Sequence, residues 1–219
     1  MNTVSKNKPS KYYNKDKHFY VCSYGGCGSK LLVQYLSHFG NVYHIHSKRP
    51  PKKLTYIGSI NNTNKTYSEW FNDTEIPPEQ LKNYTVIFLY KHPVKAIYSR
   101  FSNPDHLKHI QCNNTNIKIS DIVEQIKDLY EINGFFNNYT QPINPKLEQR
   151  NYQIYCVKYE DFFDNISIFN KTFELPDDIS IYPIKKETER KIDSNYYILE
   201  NIYHKLLYKM NDMPFITII

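Results

Sequence analysis

A chain of 219 residues with 40% apolar side chains can bury one core and is too short for several domains. The formal charge of +6 suits a polyanionic small ligand, and with no nucleic-acid module beside it no nucleic-acid partner is expected. No apolar run approaches the roughly 20 residues that span a membrane, and no apolar leader is visible, so the expectation is a soluble, intracellular (cytoplasmic) protein with reduced thiols. The four cysteines, Cys22, Cys27, Cys112 and Cys156, form no CxxC pair, and no metal is expected.

Residues 1–16 are polar and read as a disordered tail, leaving 17–219 as a single domain. Residues 18–24 read as a strand. Ser29 to Phe39 reads as a helix with Leu31, Leu32, Tyr35 and Leu36 on one face and Gly40 closing it. Val42 to His46 is a short second strand. Residues 47–84 are Pro- and Asn-rich with little periodicity, a long insertion of a kind that is usually functional. Thr85 to Tyr90 is a near-continuous apolar run, as in a central parallel strand, and Pro93 opens the next helix. Residues 119–139 read as one amphipathic helix with Ile119, Ile122, Val123, Ile126 and Tyr130 inward. Gln153 to Val157 is another buried strand. Residues 175–192 are irregular and carry Lys185, Lys186, Arg190 and Lys191. A last helix over 194–210 turns Tyr197, Leu199, Ile202, Leu206 and Leu207 inward. Strands alternating with helices predict a three-layer α/β fold, a mostly parallel central sheet covered by helices on both faces.

Two strand–turn–helix segments carry the chemistry. The first turn, Ser23-Tyr24-Gly25-Gly26-Cys27-Gly28-Ser29-Lys30, places glycines where backbone N–H groups must approach a phosphate closely. The helix that follows adds its N-terminal partial charge. Gly25, Gly26, Cys27, Gly28, Ser29, Lys30 and Leu31 are therefore the candidate phosphate binders. The turn departs from GxxxxGK[ST], because Ser29 separates the last glycine from Lys30. Cys27 sits where a helix start lowers a thiol pKa, but the plainer reading is a small residue that fits. The second segment ends its strand in Lys91-His92-Pro93 and carries Ser99 eight residues after Lys91.

Together these segments resemble the sulfotransferase family, as does Val157-Lys158-Tyr159-Glu160-Asp161 after a later strand. The resemblance covers roughly residues 18–210. It implies a P-loop NTPase-like sulfotransferase fold and 3′-phosphoadenosine 5′-phosphosulfate (PAPS) as donor. It also implies a 5′-phosphosulfate loop at Ser23–Leu32 and a 3′-phosphate site at Lys91 and Ser99, with Lys185, Lys186 and Arg190 as further basic candidates. The chain departs from the family twice. Gly26 stands where many members have a lysine that reaches the leaving phosphate, and Lys91 stands for the usual arginine, keeping the charge and losing the fork. Lys30 is the candidate to replace the missing lysine.

The family takes its base, His or Glu, from the carboxyl edge of the sheet. His44 and His46 end the second predicted strand on one face, and His46 is the better placed candidate. His106 and His109 read as surface residues. Tyr159-Glu160-Asp161 reads as structural, organising the rear of the site. The implied acceptor is a hydroxyl or amine on a carbohydrate or a tyrosine-like phenol, with Tyr56, Tyr67, Trp70 and Phe71 as a candidate acceptor wall. Two other readings stand beside it. One is a nucleotide or small-molecule kinase, opposed by the lack of a strand-end Asp for magnesium. The other is a nucleotide-binding relative without turnover, to which Gly26 points.

Overall fold

A computed structural model describes residues 10–57, 65–67, 74–102, 118–121, 128, 131–141, 150–185 and 192–219. Among these residues six strands form one sheet in the order β3-β2-β1-β4-β5-β6. β1 (His18–Cys22), β2 (Asn41–Ile45), β3 (Lys65–Tyr67), β4 (Tyr84–Tyr90) and β5 (Ile154–Lys158) run parallel, and β6 (Ile216–Ile218) is antiparallel to β5. The expected α/β architecture with a mostly parallel sheet is present. Every residue of β1 is buried, and so are the last five residues of β4. Strands covered on both faces need apolar side chains at successive positions, which is why the two central strands read as continuous runs.

Around the sheet lie α1 (Ser29–Leu36), α2 (Pro93–Phe101), α3 (Ile132–Thr140), α4 (Tyr159–Phe162), α5 (Ile166–Thr172), α6 (Ser194–Ile202) and α7 (His204–Asp212). α1 buries Leu32, Val33, Tyr35 and Leu36, and α2 buries Val94, Ala96 and Ile97. Among the described residues no helix is long and apolar enough to cross a membrane.

Several elements differ from expectation. Of the tail predicted at 1–16, residues 1–9 lie outside the described residues. Residues 10–16 are tied to the domain: the Tyr13 hydroxyl donates to Asn41 Oδ1 at 2.6 Å and the Asn14 amide to the Phe39 carbonyl at 3.1 Å. Gly40 is required by close approach, not by a left-handed cap. A Cβ there would lie 2.4 Å from the Lys17 carbonyl oxygen.

The segment 47–84 contributes β3, a 3₁₀ turn at Pro78–Asn83 and buried Leu54, Ile57 and Ile76, with the Ile76 amide donating to the Leu54 carbonyl at 2.8 Å. Tyr56 is engaged in packing there, its hydroxyl 2.8 Å from Gln80 Oε1. Trp70 and Phe71, with His106, His109 and Cys112, lie outside the described residues, as does the side chain of Tyr67.

Among the described residues, the single helix expected over 119–139 is interrupted: Ile119–Asp121 forms a 3₁₀ turn, and α3 starts afresh at Ile132. Its start is set by Glu131 in a left-handed conformation, φ 54°, and by the Asp128 carboxylate, which accepts the Asn133 amide at 3.1 Å. The buried face of α3 is Ile132, Phe135, Phe136 and Tyr139; of the residues expected inward, Ile122, Val123, Ile126 and Tyr130 lie outside the described residues. The last predicted helix is broken at Tyr203, φ −98° and ψ 10°, into α6 and α7. Leu199, Tyr203, Leu206 and Met210 are buried, whereas Tyr197 is 63% exposed, against expectation.

Candidate functional site

The β1–α1 connection is shaped by backbone geometry. Gly25, Gly26 and Gly28 all take positive φ, at 84°, 68° and 79°. Two of these positions also have no room for a side chain. A Cβ on Gly26 would stand 2.3 Å from the Ala96 carbonyl oxygen, and one on Gly28 would stand 2.2 Å from the Tyr159 ring. Within the helix, hydrogen bonding begins with the Leu31 and Leu32 amides on the Gly28 carbonyl, at 3.0 and 3.3 Å. Among the described residues, no group accepts from the amides of Gly26, Cys27, Gly28, Ser29 and Lys30. Consecutive N–H groups at a helix start, without an acceptor among the described residues, are the kind of donor array that suits an anion. Ser29 is buried in the first turn of α1, Lys30 beside it is exposed, and Leu31 is half-buried against the core.

β4 lies next to β1 and ends at Tyr90, so Lys91 comes up alongside the loop. The Lys91 amide donates 2.8 Å to the Tyr24 hydroxyl, which in turn donates to the Lys91 carbonyl. Lys91 is only 8% exposed, and its Nζ lies 4.5 Å from the centre of the Tyr159 ring. Tyr159 thus covers Gly28 on one side and holds Lys91 by a cation–π contact. Ser99 lies half-buried near the end of α2. Lys185 is exposed with its Nζ 5.8 Å from the centre of the Phe163 ring, and that ring packs edge-on against Tyr159 at 5.7 Å. Lys186 and Arg190 lie outside the described residues.

Glu160 accepts the His92 amide at 3.0 Å, where His92 begins α2. A carboxylate there complements the helix dipole, so Glu160 is a strut at the rear of the site. Asp161 pairs with Lys158 at 3.6 Å.

Burial pushes the Cys27 thiol up to about 12, with Lys91 and Arg100 pulling the other way. Cys27 is therefore a small buried residue of the loop. Burial likewise raises Cys22 and Cys156 to about 12, as expected of inert strand cysteines.

His44 and His46 fall on one face, their ring centres 4.3 Å apart. His46 follows the last residue of β2, at the carboxyl edge. Its Nδ1 lies 2.8 Å from the Ser23 carbonyl oxygen. A carbonyl only accepts, so Nδ1 carries the proton and Nε2 carries the lone pair. His46 is thereby held against the strand end that leads into the glycine loop.

Burial lowers His44 to about 3, with His46 adding to the shift. His44 is thus neutral in the fold from pH 7 down to about 3, while the unfolded chain takes up a proton near pH 6.5. The stability this gives is complete above about pH 6.5 and is lost as pH falls toward 3, at up to about 1.4 kcal/mol per pH unit. His18, also lowered by burial, acts in the same direction. Urea midpoints are expected to fall from pH 7.5 to 5.5, and His44→Gln to reduce that fall. An unchanged fall in the variant would show that His44 is not the group responsible.

Sequence reasoning missed two contributors. Tyr24 carries no role in the sequence reading, although its ring is buried and its hydroxyl ties the loop to Lys91. Arg100 likewise carries no role there, yet its Nη1 donates 2.8 Å to the Tyr24 carbonyl. The clue to Arg100 is its place one residue beyond Ser99, near the end of a short helix. No family model matches this chain, and searches of curated proteins and solved structures return no significant match to it.

Proposed function

We propose that the chain is a sulfotransferase with a P-loop-like fold, moving a sulfuryl group from PAPS to a hydroxyl or amine of a carbohydrate or phenolic acceptor. One observation carries the reading: a cradle of unaccepted amides and a buried lysine at the end of the adjacent strand, joined by Tyr24 and Tyr159. Two anionic sites held in fixed relation fit a nucleotide bearing phosphate at both its 5′ and 3′ positions. Ligands of open α/β sheets bind beyond the carboxyl ends of the strands, where β1, β2 and β4 deliver the loop, His46 and Lys91.

The amides of Gly26 to Lys30, with Ser29 and Lys30, hold the 5′-phosphosulfate. Lys91 and Ser99 hold the 3′-phosphate, with Lys185 and Lys186 as outer cations. His46 Nε2 takes the proton of the acceptor hydroxyl as its oxygen bonds to sulfur. Fixed N–H groups and cations stabilise the charge left on the departing bisphosphate. The chemistry supplied by the donor is its activated sulfuryl group. The kinase reading has weaker support, because β4 ends at Tyr90 and is followed by Lys91-His92, which offer magnesium no carboxylate there.

Adenosine 3′,5′-bisphosphate is expected to raise the melting temperature by mass action, and ATP with magnesium to do so much less. Lys91→Ala should weaken the bisphosphate by about tenfold or more while leaving adenosine 5′-phosphate nearly unaffected, since a charge-assisted contact contributes roughly 1.5–3 kcal/mol. Stabilisation by ATP–magnesium alone would turn the assignment to a kinase. Equal weakening of both nucleotides would remove Lys91 from the 3′ site.

A further inference from the structure

Arg100 sits in the last turn of α2, yet its guanidinium lies against the glycine loop. A Cβ built on Gly25 would come within 3.0 Å of Arg100 Cζ and 3.2 Å of Nη1, so the guanidinium fills the space a side chain would take. The Tyr24 carbonyl accepts Arg100 Nη1 at 2.8 Å, and the preceding residue, Ser23, gives its carbonyl to His46 at 2.8 Å. A histidine and a guanidinium are therefore anchored to successive carbonyls at the loop entrance. The charge of Arg100 also reaches Cys27, at the centre of the loop.

Gly26 cannot carry a cation of its own. Its positive φ and the Ala96 carbonyl at 2.3 Å exclude any side chain. Lys30 is exposed and projects from the first turn of α1. A planar fork that binds oxyanions bidentately is a stronger ligand for a phosphate or sulfate group than a solvated ammonium.

We propose that Arg100 is the cation that binds the 5′ end of the donor, supplying from α2 the charge that the loop cannot hold at Gly26. The inference rests on the sulfotransferase reading. In transfer, the acceptor oxygen–sulfur bond forms and the bond from sulfur to the phosphate oxygen breaks. The electron pair stays on that phosphate oxygen, beside Arg100, and the acceptor proton passes to His46 Nε2. Arg100 remains protonated throughout.

The test uses binding and needs no acceptor. Adenosine 3′,5′-bisphosphate and adenosine 3′-phosphate are titrated by calorimetry into wild type, Arg100→Ala, Arg100→Lys and Lys30→Ala. The ratio of the two affinities reports what the 5′-phosphate contributes. Arg100→Ala is expected to lower this ratio by about tenfold, and Arg100→Lys to recover part of the loss. A ratio unchanged in Arg100→Ala, with the loss appearing in Lys30→Ala instead, overturns the proposal and assigns the role to Lys30. If Arg100→Ala does not fold by circular dichroism, Arg100→Gln is read in its place, and an unchanged ratio there overturns the proposal equally. Wild type that binds neither nucleotide overturns the donor reading and this proposal together. Wild type that binds both, with a ratio insensitive to Arg100, overturns this proposal alone.

Discussion

On the proposed sulfotransferase reading, His46→Asn is expected to slow sulfuryl transfer by about two to four orders of magnitude, as losing a general base does, with donor affinity nearly unchanged. The choice of asparagine follows from the geometry. Its amide nitrogen takes the place of Nδ1 and can still donate to the Ser23 carbonyl, which His46 reaches at 2.8 Å. What it lacks is a lone pair at the position of Nε2. His46→Ala removes both functions. If His46 were only a strut for the loop, the asparagine variant would keep wild-type rates and the alanine variant alone would suffer. Single-turnover transfer from labelled donor into a panel of sugars and tyrosine peptides separates the cases. Wild-type rates in the asparagine variant would remove His46 from the chemistry.

The second large effect concerns the loop position where the sulfotransferase pattern has lysine. Gly26→Lys introduces that residue, and it is expected to destabilise the fold and, on the proposed reading, to weaken nucleotide binding. Gly26 has φ 68°, and its missing Cβ would meet the Ala96 carbonyl at 2.3 Å. The obstacle is helix backbone, so no rotamer change relieves it. Left-handed backbone costs a residue with a Cβ roughly 1–2 kcal/mol, and overpacking adds roughly 1–3 kcal/mol, for a total of about 2–5 kcal/mol. Urea unfolding of Gly26→Lys and Gly26→Ala measures it. Both should lose stability, because the shared cause is the Cβ. A Gly26→Lys variant as stable as wild type and faster in transfer would show that the loop accommodates the family residue.

These two positions show how differently the parts of the site are legible. The loop was visible in the sequence because only glycine takes positive φ without strain. A run of glycines between an apolar strand and a helix therefore has few structural readings. The placement of His44 and His46 on one face followed from the two-residue period of a strand, and the ring centres 4.3 Å apart agree with it. The tautomer of His46 was not legible. It depends on the Ser23 carbonyl, more than twenty residues away in the chain, and on the pairing of β1 with β2 that brings the two together.

Local sequence also set the central strands, since burial on both faces demands continuous apolar runs. Helix interruptions escaped it. The pattern over 119–139 and over 194–210 keeps a helical period across residues where the backbone breaks. The breaks at Glu131 and Tyr203 are held by long-range partners: the Tyr203 hydroxyl lies 3.3 Å from Asp128 Oδ1, which also caps the start of α3. β6 was missed because three residues near the end of a chain carry little periodicity. Their strand state comes from hydrogen bonding to β5.

By itself, then, the chain determined where backbone must be bare and where it must be buried, because glycine permissiveness and strand periodicity act within a few residues. Tertiary structure alone decided which cations reach the loop. Lys91 arrives through the neighbouring strand and is held over Tyr159, and Arg100 arrives through α2 into the space left by Gly25. A long flexible side chain has no direction in sequence. Its charge acts where packing leaves room for its head group, and that room is made by residues distant in the chain.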